Sequence, residues 1–105
     1  ANAVFYGKSL PDSDIRDCAE FVEYMHLKDK GGEPESWNFP ALGKGWLKLE
    51  DTLNYLEENG YSGPLSVEIE FTRDFIMKDK KPGDLEIVNT SVQDSFSYLK
   101  NLGYV

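Results

Sequence analysis

Cysteine and histidine are nearly missing from this chain, which has one of each, Cys18 and His26. A single cysteine excludes an internal disulfide, and its place on an apolar helical face predicts a small buried hydrophobic residue. Long hydrophobic runs are also missing, because no apolar stretch approaches the ~20 residues that cross a bilayer. No signal-peptide pattern opens the sequence. These absences predict a soluble, cytoplasmic protein without a membrane partner.

Basic residues are scarce relative to acidic ones. Lysine and arginine number 11 against 19 aspartates and glutamates, which gives a net charge of −8. A nucleic-acid-binding surface needs clustered Lys and Arg to neutralise phosphates, so no nucleic-acid partner is expected. The chain of 105 residues is 40% hydrophobic and 29% charged, an ordinary globular composition. We expect residues 1–105 to form a single domain or part of one.

Hydrophobic periodicity predicts helices that alternate with strands. The apolar run at residues 1–6 resembles the end of a strand. The predicted elements after it are a helix at 12–20, a strand at 22–28, a loop at 30–46, a helix at 48–59, a strand at 65–71, a charged loop at 78–83 and a helix at 90–101, capped by Asn89 or Thr90. This alternation indicates βαβ units and a parallel sheet.

Polar side chains occupy one face of each predicted internal strand. Alternation places His26 with Lys28 on the first strand, and Glu68 with Glu70 on the second. In one interpretation, the second strand is half exposed and its glutamates lie in water. In the other, the sheet closes into a barrel whose polar face points inward, with the site at the C-terminal ends of the strands. An imidazole and a carboxylate would then converge as ligands of a divalent metal, which needs further carboxylates from elsewhere.

Several sequence segments match those of a known family. The segments HLKDK, LGKGWLKLEDTLNYLEENGYSGPLSVEIE and LKNLGY resemble the C-terminal part of the xylose-isomerase-like sugar phosphate isomerase/epimerase family. The resemblance covers about residues 2–104 and implies an α/β fold, the C-terminal portion of a TIM-type (β/α)₈ barrel of ~250 or more residues. About three βα units of that barrel would lie in this chain.

The resemblance also implies a site. His26 matches a metal-binding histidine, Glu68 matches the last metal-binding glutamate and moves a proton beside a carbonyl, and Asn2 matches a position near the substrate. The expected cofactor is Mn, Mg, Co or Zn, and the expected substrate is a sugar or sugar phosphate. Lys28 is a further candidate for substrate binding because of its charge. Trp37 is another, as a residue that would cover the ligand. Lys44 stands where the family usually has a glutamate.

Two functional hypotheses follow. In the first, the parent protein is a metal-dependent isomerase or epimerase whose remaining aspartate and glutamate ligands precede residue 1. The segment alone would then be inactive, and the metal is expected in the full-length parent rather than in this segment. In the second, the chain is a non-catalytic α/β module with open strand edges, which favour pairing with another copy. That hypothesis predicts a homo-oligomer.

Overall fold

The computed structural model describes residues 1–7 and 9–105, which form helices and four short strands. About half of the structure is helical. The α-helices are α1 (Asn2–Gly7), α2 (Pro11–Cys18), α3 (Leu49–Glu58), α4 (Arg73–Met77) and α5 (Pro82–Asn101). The strands are β1 (Met25–Leu27), β2 (Asn38–Phe39), β3 (Leu65–Val67) and β4 (Phe71–Thr72), and a short 3₁₀ helix covers Ala19–Phe21.

The predicted parallel pairing of the two polar-faced strands is confirmed. β1 pairs with β3 in parallel, with His26 opposite Ser66, and α3 lies between them in the sequence as the crossover of a βαβ unit. β2 pairs antiparallel with β4, with Phe39 opposite Phe71. Within the described residues the parallel sheet has two strands and does not close into a barrel.

The core lies on the face of β1 opposite to His26. Leu27 is 2% exposed and clusters with buried leucines from the loop, α3 and α5, namely Leu42, Leu49, Leu53 and Leu99. Leu56 joins Ile15 and Ala19 in a second cluster. The apolar face predicted for the helix at 48–59 is therefore correct. Burial of alternate residues in β1 leaves the intervening polar side chains on the opposite face.

Helices α3 and α5 end in the same way, each at a Gly-Tyr pair: Gly60-Tyr61 and Gly103-Tyr104. Gly60 and Gly103 have positive φ angles of 87° and 89°. The amide of Tyr61 donates to the Leu56 carbonyl at 2.9 Å, and that of Tyr104 donates to the Leu99 carbonyl at 3.0 Å. These are Schellman bonds, which satisfy carbonyls left over at a helix C-terminus and favour glycine at the left-handed position.

Three expectations for the N-terminal third are wrong. Residues 2–7 form helix α1, not a strand end, because a short apolar run without periodicity is ambiguous between the two. Cys18 is exposed, since the helix breaks at its backbone (φ −132°, ψ 1°) and Ala19 takes the buried position. The strand predicted at 22–28 is confined to Met25–Leu27, because the 3₁₀ turn precedes it.

The C-terminal third also differs from the prediction. The strand expected at 65–71 is divided into β3 and β4, because the segment at 68–70 passes from β1 to β2: the Glu68 amide donates to Leu27 and the Glu70 amide to Phe39. Phe71, at the start of β4, has a left-handed φ of 56°. Helix α5 begins at Pro82 rather than near residue 90, so Asn89 and Thr90 lie inside it and do not cap it. Proline suits the first helical turn, and the Asp84 carboxylate accepts from the Lys81 amide at 2.8 Å.

The loop at 30–46 is held in place by the buried carboxylate of Asp29. Its Oδ1 accepts from the amides of Lys30 (2.8 Å) and Leu47 (3.3 Å), and its Oδ2 accepts from those of Gly43 and Gly45 (2.9 Å each). Asp29 is 1% exposed. This carboxylate joins the end of β1 to both ends of the loop, which also contains β2.

Among residues 1–7 and 9–105, no helix has the length and apolarity needed to cross a membrane.

Replacement of Asp29 should destabilise the fold strongly. Asp29→Ala leaves buried amides without an acceptor, and we expect it to lower the free energy of unfolding by about 3 kcal/mol or more. Asp29→Asn should lose less, because its amide oxygen still accepts. Urea unfolding measures both, and the exposed Asp79→Ala is the matched control. Equal stability of Asp29→Ala and the control would contradict this role for the carboxylate.

Candidate functional site

The side chains of His26 and Glu68 meet at the C-terminal ends of the two parallel strands. Nδ1 of His26 lies 3.2 Å from Oε2 of Glu68. The pairing of His26 with Ser66 sets this contact, since Glu68 follows Ser66 by two residues and so extends from the same face. The amide of Glu68 also donates to the Leu27 carbonyl at 2.8 Å, which continues the ladder past the end of β3.

Lys28 lies at the centre of the polar face. Its Nζ is 2.7 Å from Oε1 of Glu68 and 2.9 Å from Oε2 of Glu70, and the second pair lacks hydrogen-bond alignment. Nζ also donates to Oδ1 of Asn2 at 2.8 Å. The Phe39 ring lies below the ammonium, with its centroid 4.9 Å from Nζ. One buried cation therefore binds two carboxylates and joins α1 to the sheet.

Exposure differs sharply within this group. The Lys28 side chain is 6% exposed, whereas those of His26 and Glu68 are 58% and 37% exposed. A ligand approaching from solvent therefore meets the imidazole and the Glu68 carboxylate before it meets the ammonium. Lys28 forms the inner wall of the site.

The electrostatics favour an ionised Glu68. Contact with the Lys28 ammonium lowers the pKa of this carboxyl below its ordinary value of 4.5, partial burial opposes the shift, and the hydrogen bond with His26 supports it. An ammonium beside a carboxylate stabilises the charged form. Glu68 is thus a carboxylate at neutral pH, the form that accepts a proton or binds a cation.

The aromatic residues of the loop lie beside this site. Trp37 packs edge-to-face against Phe39, at 5.2 Å between ring centroids, and against Phe5 of α1, at 5.4 Å. Phe39 thus lies between Trp37 and Lys28. Nε1 of Trp37 is buried and has no hydrogen-bond partner among the residues that the structure describes. The structure places Trp37 one ring away from the polar cluster, not in it.

Four of the five predicted site residues come together. They are Asn2, His26, Lys28 and Glu68. Two structural partners were not predicted as such: Phe39, which lies under Lys28, and Asp29, which orders the loop. The role of Asp29 has a signal in the sequence: an aspartate at a strand end, followed by a loop with two closely spaced glycines. Glycine allows the backbone to approach a carboxylate closely. A Cβ on Gly45 would clash with Oδ1 of Asp29.

His26 and Glu68 fit a divalent cation in chemistry and in spacing. Imidazole nitrogen and carboxylate oxygen are ligands for Mn²⁺, Co²⁺ and Zn²⁺, and carboxylate also suits Mg²⁺. Two ligand atoms bound at about 2.1 Å and at right angles are about 3 Å apart, close to the 3.2 Å between these side chains. Across residues 1–7 and 9–105 no group of three or more His, Cys, Asp or Glu side chains is placed to hold a metal ion. Two side chains alone are too few to complete a metal site.

Comparisons of the chain with protein-family models, with curated proteins and with solved structures found no match. The resemblance described above therefore stays a prediction, and the function must be argued from the side chains themselves.

The Glu68 contacts should make stability depend on pH. Because the folded-state pKa is lowered, the contribution of Glu68 is fully present above its ordinary value of 4.5 and is lost as the pH falls through the folded-state pKa. We expect Glu68→Gln to be less stable than wild type by about 1 kcal/mol at neutral pH, since the carboxylate is partly exposed. Urea unfolding at decreasing pH should show this difference shrink.

The exposed Glu58→Gln, at the end of α3, is the matched control. It removes the same charge at a position without an ion pair in the described part of the chain, so it should differ little from wild type at neutral pH. A stability difference for Glu68→Gln that stays constant with pH would contradict the ion-pair interpretation.

Proposed function

We propose that this chain carries part of the active site of a metal-dependent sugar or sugar-phosphate isomerase or epimerase, with His26 and Glu68 as metal ligands. The observation that supports this is the 3.2 Å approach of the two side chains at the C-terminal ends of adjacent parallel strands. In α/β folds, active sites gather at that end, where strand ends and the following loops meet. The remaining ligands come from outside the described residues.

Glu68 is the proton-transfer group in this proposal. It is ionised at neutral pH and accessible from solvent, so it can accept a proton from the carbon next to a substrate carbonyl and return it. A bound divalent cation supplies electrostatic stabilisation of the negative charge that develops on the carbonyl oxygen. Lys28 provides a second positive charge at the inner wall, suited to an anionic oxygen or a phosphate of the substrate.

Asn2 and the loop aromatics complete the environment. Asn2 orients Lys28 through its side-chain oxygen, and Phe39 supports the ammonium from below. Trp37 contributes through the aromatic cluster, where it limits access of water on the loop side. In this proposal the loop at 30–46 shapes the site. The reactive side chains come from β1 and from the segment after β3.

Metal binding is the direct test. We expect Mn²⁺ to broaden the NMR signals of the His26 ring, which is unambiguous because this is the only histidine. His26→Ala and Glu68→Gln should each weaken Mn²⁺ binding, measured by calorimetry, by about tenfold or more, the usual effect of removing a metal ligand or its partner. The exposed Asp79→Asn is the control, with wild-type binding. Wild-type affinity in both site variants would overturn the assignment.

A second function, self-association, is supported by an exposed apolar groove. The groove lies between α5 and the segment from β3 to β4, lined by Val67, Ile69, Phe71, Val88, Val92, Phe96 and Leu99. Val92 and Phe96 are more than half exposed, at 54% and 52%. Within the described residues β3 pairs on one edge only, with β1. A strand from a second copy would pair with the open edge and fill the groove.

Sedimentation velocity tests this association. Wild type should sediment as a dimer at high concentration, and Phe96→Glu should sediment as a monomer, because a buried charge in an apolar contact is costly. Gln93→Glu adds the same charge at a neighbouring exposed position of α5 and should leave the dimer intact. A wild-type monomer at every concentration would exclude self-association.

A further inference from the structure

Lys28 holds the oxygens that a bound cation would also need. Its Nζ lies 2.7 Å from Oε1 of Glu68, while Oε2 of the same carboxylate faces His26. Glu70 and Asn2 supply further oxygens around the ammonium at 2.9 Å and 2.8 Å. The ammonium is thus bound much as a small cation would be, by carboxylate and amide oxygens in a nearly solvent-free position.

A divalent cation at Glu68 would lie close to this ammonium. The two would share one carboxylate, one at each oxygen, and like charges at such a distance repel each other strongly where water is excluded. Glu68 and Glu70 carry two negative charges, of which Lys28 neutralises one when both carboxylates are ionised. With a divalent cation present as well as Lys28, the total positive charge would exceed the negative charge of Glu68 and Glu70.

We propose that Lys28 acts as an internal counter-ion that competes with a divalent cation for Glu68, so that metal binding releases the ammonium toward the substrate. This inference rests on the proposed function, because it needs His26 and Glu68 to bind a metal. Competition of this kind is reciprocal: each cation weakens the binding of the other by the same factor. The released ammonium is then available for an anionic oxygen of the substrate.

The aromatic and amide neighbours allow such a movement. The contacts with Asn2 of α1 and Phe39 of β2 do not involve Glu68, so the side chain keeps these two partners nearby when the carboxylate is withdrawn. Lys30 offers a contrast two residues further along. Its Nζ is fully buried and donates to the Glu33 carbonyl at 2.8 Å and to Ser36 Oγ at 3.3 Å, within the loop. Metal binding should release Lys28 and leave Lys30 in place.

Titration with Mn²⁺ of the wild-type chain and of two Lys28 variants tests the competition. Lys28→Met removes the positive charge and should tighten Mn²⁺ binding, measured by calorimetry, by about tenfold or more, given the cost of juxtaposed like charges. Lys28→Arg keeps the charge and should bind Mn²⁺ as wild type does. Unchanged or weaker binding by Lys28→Met would overturn the competition. The proposed site itself would survive that result, provided that the His26 ring signals of wild type still broaden.

A measurement on the wild-type chain tests the same inference without depending on the folding of the variants. Reductive methylation, quantified by mass spectrometry, should label Lys28 slowly without Mn²⁺ and several-fold faster with it. Lys30 is the internal control and should stay protected in both conditions. Equal labelling of Lys28 with and without Mn²⁺, while the His26 signals broaden, would overturn the release of the ammonium. Absence of broadening in every protein would overturn the metal site and this inference together.

Discussion

The loop beside the candidate site depends on the hydrogen bonds that the buried carboxylate of Asp29 accepts. It accepts backbone amides from both ends of the long loop, at Lys30 on one side and at Gly43, Gly45 and Leu47 on the other. A buried charge is tolerated when hydrogen bonds replace its hydration, and here backbone amides do so. Because the loop carries Phe39 under Lys28, the Asp29 carboxylate also helps to position the aromatic side of the polar cluster.

Alternation in two short strands produces both the core and the site. Leu27 is buried among leucines, while His26 and Lys28 face the other side, beside Glu68. The opposing requirements of the two faces fix the register, because a shift by one residue would place His26 in the core and Leu27 on the polar face. The parallel pairing of His26 with Ser66 is thus a consequence of hydrophobic burial, and the site chemistry depends on it.

Much of this arrangement could be predicted from the sequence, where the signals are local. The helix at 48–59 and the polar face shared by His26, Lys28 and Glu68 follow from periodicity, and the structure contains both. The misses have non-local or backbone causes. The break at 68–70 depends on a change of partner from β1 to β2 and leads into a left-handed φ at Phe71 that favours glycine. The two-residue strand at Asn38 likewise depends on a distant partner. The alternation of apolar and polar residues at 65–71 indicates neither the left-handed φ nor the pairing with a distant strand.

The two oxygens of Glu68 connect the electrostatics to the proposed chemistry. One faces the exposed imidazole of His26 and the other faces the buried ammonium of Lys28, so the carboxylate has a solvent side and an inner side. An ammonium beside a carboxylate lowers its basicity, and a divalent cation bound to the same carboxylate would lower the basicity further. If a bound cation displaces Lys28, the cation takes over the positive charge at Glu68 and the ammonium becomes available to the substrate. Lys28 would then couple metal binding to the charge offered to the substrate.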